Sequence, residues 1–228
     1  MSGSLVSPEL RARVRGMMTP IAVGFGRLGL TPNALTLIGF GIACVAAVAA
    51  GMQAWIVAGV LVVVGGVFDL FDGALARATG KASKLGAFMD STFDRWGEGI
   101  VYLGILWGTL ELGLWRPVIL TGAAMVAAFM VSYTRAKAES LGFTPGTGMA
   151  NVGLAPREVR IVILTIGLIV AGLLPGFPED TDAPGGLAYP LSALALEAAL
   201  GLIALLATIT VIQRVVATIN QASKQDQE

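Results

Sequence analysis

Apolar residues run along this chain in six long blocks, near residues 33–51, 54–78, 85–111, 115–140, 157–175 and 188–214. Each block is long enough to cross a hydrocarbon core of about 30 Å at about 1.5 Å per residue. Backbone groups in lipid have to bond within their own segment, so the blocks read as helices. Ahead of them, Arg11, Arg13 and Arg15 alternate with apolar side chains. Pro8 to Leu28 has the pattern of an amphipathic helix lying in the membrane interface, and it lacks the form of a cleaved signal peptide. The expectation is an all-α membrane protein: an interfacial amphipathic helix in residues 1–30, six transmembrane helices in a membrane domain 31–219, and a tail at 220–228.

The charges orient this array. Arg11, Arg13, Arg15 and Arg27 precede the first block, and Arg77, Lys81 and Lys84 join the second to the third. Arg135, Lys137, Arg157 and Arg160 surround the fourth-to-fifth connection, and Arg214 and Lys224 close the chain. The opposite side has only Arg116 and an acidic loop, PGFPEDTDAPGG. The positive-inside rule puts both termini and these basic connections in the cytoplasm. A short chain without a targeting segment fits a prokaryotic plasma membrane.

Composition agrees with the pattern. Of 228 residues, 55% are hydrophobic and 13% charged, against roughly 25% charged in soluble domains. The net charge is zero, so no bulk field draws nucleic acid. There is no histidine, and Cys44 is the single cysteine. A histidine-containing zinc site, a Ser-His-Asp triad and an intrachain disulfide are excluded. Chemistry has to run on carboxylates, arginine and lysine, hydroxyls and metal.

Four aspartates break the apolar pattern: Asp69 and Asp72 near the end of the second block, Asp90 and Asp94 near the start of the third. Carboxylates within membrane helices are costly and mark function. Their spacings, i,i+3 and i,i+4, put each pair on one helix face. If the two helices are antiparallel neighbours on a short loop, the faces can meet. Four clustered carboxylates in a low dielectric repel and require cations; hard divalent ions with oxygen ligands suit them. Two such ions balance the four charges. An ion site in a coupled membrane carrier is the alternative, although a carrier has interrupted helices in both halves and here the acids sit on one helix pair.

The order of residues narrows the choice. DLFDGALAR at residues 69–77 is followed by eight residues and GAFMDSTFD at 86–94. This resembles, at every fixed position, the signature of the CDP-alcohol phosphotransferase family, D-x2-D-G-x2-A-R-x8-G-x3-D-x3-D. GLTPNALTLIGF, residues 29–40, resembles the start of that family's first membrane helix. The resemblance implies a metal-dependent enzyme in which an alcohol attacks a CDP-lipid, CMP leaves and a phosphodiester forms. It implies Mg2+ or Mn2+ held by Asp69, Asp72, Asp90 and Asp94, with Asp94 also the general base. Asp69, Gly73, Ala76, Arg77 and Gly86 then line the nucleotide and CDP-lipid pocket. Family precedent also implies a homodimer, with membrane lipids around it.

A second polar cluster bears on the acceptor. Ser132, Arg135 and Lys137 end the fourth block, and Arg157 and Arg160, at i,i+3, open the fifth. Converging cations at one membrane face suit a bound phosphate. The SYTRAKAE segment followed by an arginine-rich helix entry is similar to the phosphatidylinositol-phosphate and archaetidylinositol-phosphate synthase branch of the family. That implies inositol phosphate, a phosphorylated polyol, as acceptor. Relatives in that branch often have R-P-E-R where this chain has REVR at 157–160. Glycerol 3-phosphate accounts for the cations too; serine, ethanolamine and choline, without a phosphate, account for them less well. Glu98 reads as an arginine partner, Arg95 as structural and off the aspartate face, Thr31 as a helix cap, and Arg214 as an ordinary helix end.

Overall fold

A computed structural model of the chain describes residues 8–143, 149, 152–174 and 190–225, with the backbone alone for 8–15 and 224. The acidic loop therefore lies outside the described residues. Among the described residues there are seven helices: α1 (Pro8–Arg27), α2 (Pro32–Gly51), α3 (Trp55–Ala78), α4 (Lys84–Glu111), α5 (Trp115–Ser140), α6 (Arg157–Leu173) and α7 (Leu191–Gln225).

Local chemistry sets the helix starts nearest the aspartates. Thr31 caps α2, its hydroxyl accepting from the Ala34 amide at 3.2 Å, and Pro32 takes the first helical position. Ser83 caps α4 in the same way, accepting from the Gly86 amide at 3.0 Å. Between α3 and α4 the chain turns through Gly80 at φ +66, a left-handed conformation that glycine adopts without strain.

The helices α2, α3, α6, α7, α5 and α4 pack in that order into a closed ring, and α1 lies outside against α3. Small residues permit the closest approaches. A Cβ on Gly104 would stand 2.2 Å from the Ala47 carbonyl oxygen, and one on Gly108 would stand 2.3 Å from that of Ala50, so α4 rests almost directly on the α2 backbone. On the outer side, Ala22 and Phe25 of α1 pack with Phe71 and Leu75 of α3.

Two expectations need correction. Six transmembrane helices preceded by an interfacial helix are not what the structure carries. Among the described residues, four of the seven helices, α2, α3, α5 and α7, are long and apolar enough to cross a membrane. α4 is long but carries Lys84, Asp90, Asp94, Arg95, Glu98 and Glu111. α6 has 17 residues and opens on Arg157, Glu158 and Arg160. α1 contains Pro20 and is packed on α3. Apolar runs alone miss this difference, because an apolar face is also what a helix needs to pack inside a bundle. Second, α3 and α4 are consecutive but touch only sparsely; both lean on α2, which holds them apart.

Candidate active site

The polar residues of α3 and α4 meet at one end of the ring. Asp72 is buried at 4% exposure and accepts a 2.6 Å hydrogen bond from the Thr36 hydroxyl of α2. Asp69 lies one turn earlier, close enough to Asp72, Asp90 and Asp94 to repel each of them. Space for it depends on α2: a Cβ at Gly39 would come within 3.0 Å of Asp69 Oδ1.

Arginines answer this charge. Arg157, the first residue of α6, bridges two helices, with one terminal nitrogen 2.7 Å from Asp69 Oδ2 and the other 2.8 Å from Asp94 Oδ1. Arg95 folds back on its neighbour Asp94 at 3.1 Å, and its Nε donates to Ser132 Oγ on α5 at 3.0 Å. Arg95 is thus part of the site, contrary to its sequence reading: helical periodicity places a Cα, while a long side chain can turn to the adjacent face.

Two chambers flank the aspartates. The smaller, about 200 Å³, is lined by Pro32, Asn33, Thr36, Asp72, Gly73, Ala76, Arg77, Lys81, Gly86 and Asp90. It gathers the whole glycine-arginine part of the motif. A Cβ at Gly86 would stand 3.2 Å from Ser83 Oγ and 3.4 Å from Asn33 Oδ1, and one at Gly73 would stand 3.1 Å from Arg77. Both glycines therefore keep this chamber open. Thr31 caps its helix as expected, and Asn33, two residues on, borders the chamber.

The larger chamber, about 650 Å³, opens among α3, α4, α5, α6 and α7. Asp69, Asp90 and Asp94 form its acidic wall; Arg95, Ser132, Arg135, Arg157, Arg160 and Arg214 supply the opposing charge. Asp90 lines both chambers. Of the expected acceptor residues, Lys137 is exposed on the last turn of α5 and lines neither chamber. Arg160 is engaged, as a planar fork, by both carboxylate oxygens of Glu98 at 2.7 Å. Arg214 is 3% exposed, and its guanidinium donates to the carbonyls of Val131 and Val152. Its place in the chamber had no sequence signal beyond a basic residue inside an apolar helix.

The donor set suits a hard divalent cation: four carboxylates and no nitrogen or sulfur ligand. Among the described residues no three of these side chains converge closely enough to ligate one ion as they stand. Arg157 lies between two of them, a positive group where the wall demands one.

Residues 29–220 match the family model described as CDP-alcohol phosphatidyltransferase. The chain belongs to this family. Such enzymes are transferases of phospholipid biosynthesis. The chain is 40% identical over 158 residues to archaetidylinositol phosphate synthase of Pyrococcus horikoshii, covering 69% of this chain and 79% of that one. It is 35% identical to the archaetidylinositol phosphate synthase of Methanothermobacter thermautotrophicus over 209 residues, 91% of each chain. Among solved structures, phosphatidylinositol phosphate synthase of Mycobacterium tuberculosis with CDP-DAG bound superposes with a TM-score of 0.72 at 30% identity, covering 88% of this chain and 92% of that one. The same protein with manganese and citrate gives 0.70, covering 88% of both. This CDP-alcohol phosphatidyltransferase thus shares the fold of an enzyme whose structures hold CDP-DAG in one case and manganese with citrate in the other.

Proposed function

We propose that this enzyme transfers a phosphatidyl-type group from a CDP-lipid, diacyl or ether-linked, to a hydroxyl of inositol phosphate, releasing CMP. The observation that carries this reading is the pair of chambers on either side of one aspartate wall. A nucleotide with its diphosphate suits the small glycine-kept chamber. A phosphorylated polyol suits the larger basic one. The reacting phosphorus then lies at the wall, where donor and acceptor meet.

In this scheme Gly73 and Gly86 admit the nucleotide, and Arg77 and Lys81 face its phosphates. Ser132, Arg135 and Arg214 hold the acceptor phosphate, with Arg95 beside them. Asp94 takes the proton from the attacking hydroxyl as the new phosphorus–oxygen bond forms and the bond to CMP breaks. Asp69, Asp72, Asp90 and Asp94 would hold Mg2+ or Mn2+, two ions by charge balance, which supply electrostatic stabilisation of the diphosphate and departing CMP. The rest is positioning, which dominates phosphoryl-type transfer. The excess of arginine and lysine at the chamber end favours a cytoplasmic orientation for the site.

The test is CMP release by purified protein from CDP-diacylglycerol or an ether-linked analogue, with Mg2+, comparing inositol 1-phosphate with glycerol 3-phosphate. Release with inositol phosphate alone supports the reading. Release with glycerol phosphate alone keeps the family and overturns the acceptor. No release from either donor in folded protein revives the ion-coupled carrier.

A further inference from the structure

The largest fully buried side chain of the described residues is Arg160, at 1% exposure. Its Nε and one terminal nitrogen donate to the two oxygens of Glu98 at 2.7 Å each, and the other terminal nitrogen donates to the Ala155 carbonyl at 2.9 Å. All three nitrogens are committed within the protein, in a geometry only a planar fork provides. A buried ion pair is a poor source of stability, because desolvation of both charges offsets their attraction. What such a pair does supply here is register.

α4 rests on α2 and α5, and α6 rests on α3 and α7; the two helices make almost no close backbone approach to each other. A gap of about 40 Å³ lies between them, bordered by Asp94, Glu98, Arg157 and Arg160. Two arginines span it, Arg157 to Asp94 and Arg160 to Glu98, one helical turn apart on both sides. Arg157 is the first residue of α6, so no preceding turn holds it. The lead-in is tied down instead: the Leu154 and Ala155 amides both donate to Thr210 Oγ1 on α7 at 3.0 Å, while the Ala155 carbonyl accepts from Arg160. Glu98, Arg160, Ala155 and Thr210 thus form one continuous polar link from α4 through α6 to α7. A slip of a single residue along α6 would rotate its side chains by about 100° and move them about 1.5 Å, removing Arg157 from the aspartates.

We propose that Glu98 and Arg160 are a positioning pair: they fix the register of α6 against α4 and so hold Arg157 at the seam between Asp69 and Asp94. Arg160 acts through Arg157 and is not a ligand of the acceptor phosphate. The inference rests on the proposed transfer reaction for its kinetic readout, and on the fold alone for its structural one.

The decisive variant is Glu98→Gln, because the two roles of Arg160 give opposite signs. If Arg160 bound the acceptor phosphate, loss of its carboxylate partner would free it, and the acceptor KM would hold or fall. The positioning role makes the acceptor KM rise and kcat fall, by up to about 100-fold for a misplacement near 1 Å, with the donor KM unchanged. Glu98→Gln strands a buried charge, so Glu98→Leu with Arg160→Met serves if the single variant does not fold; well-packed apolar replacements of buried pairs keep stability. A folded double variant with wild-type kinetics overturns the proposal. Wild-type turnover in the same assay checks the reaction itself. Independently of turnover, spin labels at Leu103→Cys and Ile166→Cys in a Cys44→Ala background report the α4–α6 distance. The proposal requires that distribution to broaden in both Glu98 variants, and an unchanged distribution overturns it.

Discussion

The two chambers beside the aspartate wall are built in opposite ways. The small one comes chiefly from a single stretch of chain: the end of α3, the turn at Gly80 and the start of α4, with the first turn of α2 laid across. The large one draws its cations from α4, α5, α6 and α7, from positions as far apart as Arg95 and Arg214. A chamber made by one segment has a fixed spacing and can be read as a motif. A chamber made by five helices exists only once the ring closes. Its charges can be exchanged among helices while the cavity keeps its sign, which is a physical route to a changed acceptor on an unchanged donor site.

The wall common to both chambers gives the largest effect. Chelation with EDTA is expected to abolish CMP release, and Mg2+ or Mn2+ to restore it. Asp94→Asn is expected to lower kcat by about 1,000-fold while thermal unfolding stays near that of the wild type. Residual activity close to wild type in Asp94→Asn would move the proton acceptor to another carboxylate of the wall, with Asp90, which faces both chambers, the first to examine.

The next effect should separate the chambers. Arg214→Gln removes a buried cation of the large chamber, and loss of such a charge from a phosphate site costs about 30-fold or more in affinity. The acceptor KM should rise accordingly while the donor KM stays put. Because Arg214 also donates to two carbonyls, Arg214→Lys is the companion: it keeps the charge and loses the fork, and should fall between. A rise in donor KM instead would join the two chambers into one site. Gly86→Ala is the mirror experiment. Its Cβ would meet Ser83 Oγ at 3.2 Å and Asn33 Oδ1 at 3.4 Å, so a few tenths of an ångström of adjustment suffices. The donor KM should rise by about three- to ten-fold, within the range of a single tight contact, and the acceptor KM should not move.

The same contrast explains what was legible beforehand. Helix positions were readable because long apolar runs and the cap at Thr31 are local signals. The number of membrane-crossing helices was not, because α4 and α6 combine apolar faces with charges that turn inward. The small chamber was readable as a motif, yet its hydrogen bond from Thr36 to Asp72 was not: it joins residues 36 positions apart, and a threonine in an apolar helix has no distinguishing pattern. In the large chamber Ser132, Arg135, Arg157 and Arg160 were found as a cluster, whereas Arg95 was read as structural and Arg214 as an ordinary helix end. Each of those two points inward by virtue of packing that no local window contains. Glu98 was recognised as an arginine partner, but which arginine it holds depends on the ring.

The smallest expected effect tests that account most directly. By sequence, Lys137 belongs with Ser132 and Arg135, two residues beyond Arg135 on the same basic turn. In the fold it is exposed and lines neither chamber, because a step of two residues turns a helix by about 200° and carries the side chain to the opposite face. Exposed charges at such a position are screened by salt and contribute little to a site behind the helix. Lys137→Ala should therefore leave the acceptor KM within about two-fold of wild type, and Arg135→Ala, under identical conditions, should raise it several-fold more. If the two substitutions are equivalent, the phosphate is held by the basic turn as a whole at the rim. The large chamber would then be an entrance rather than the seat of the acceptor, and its resemblance in construction to a binding site would be coincidental.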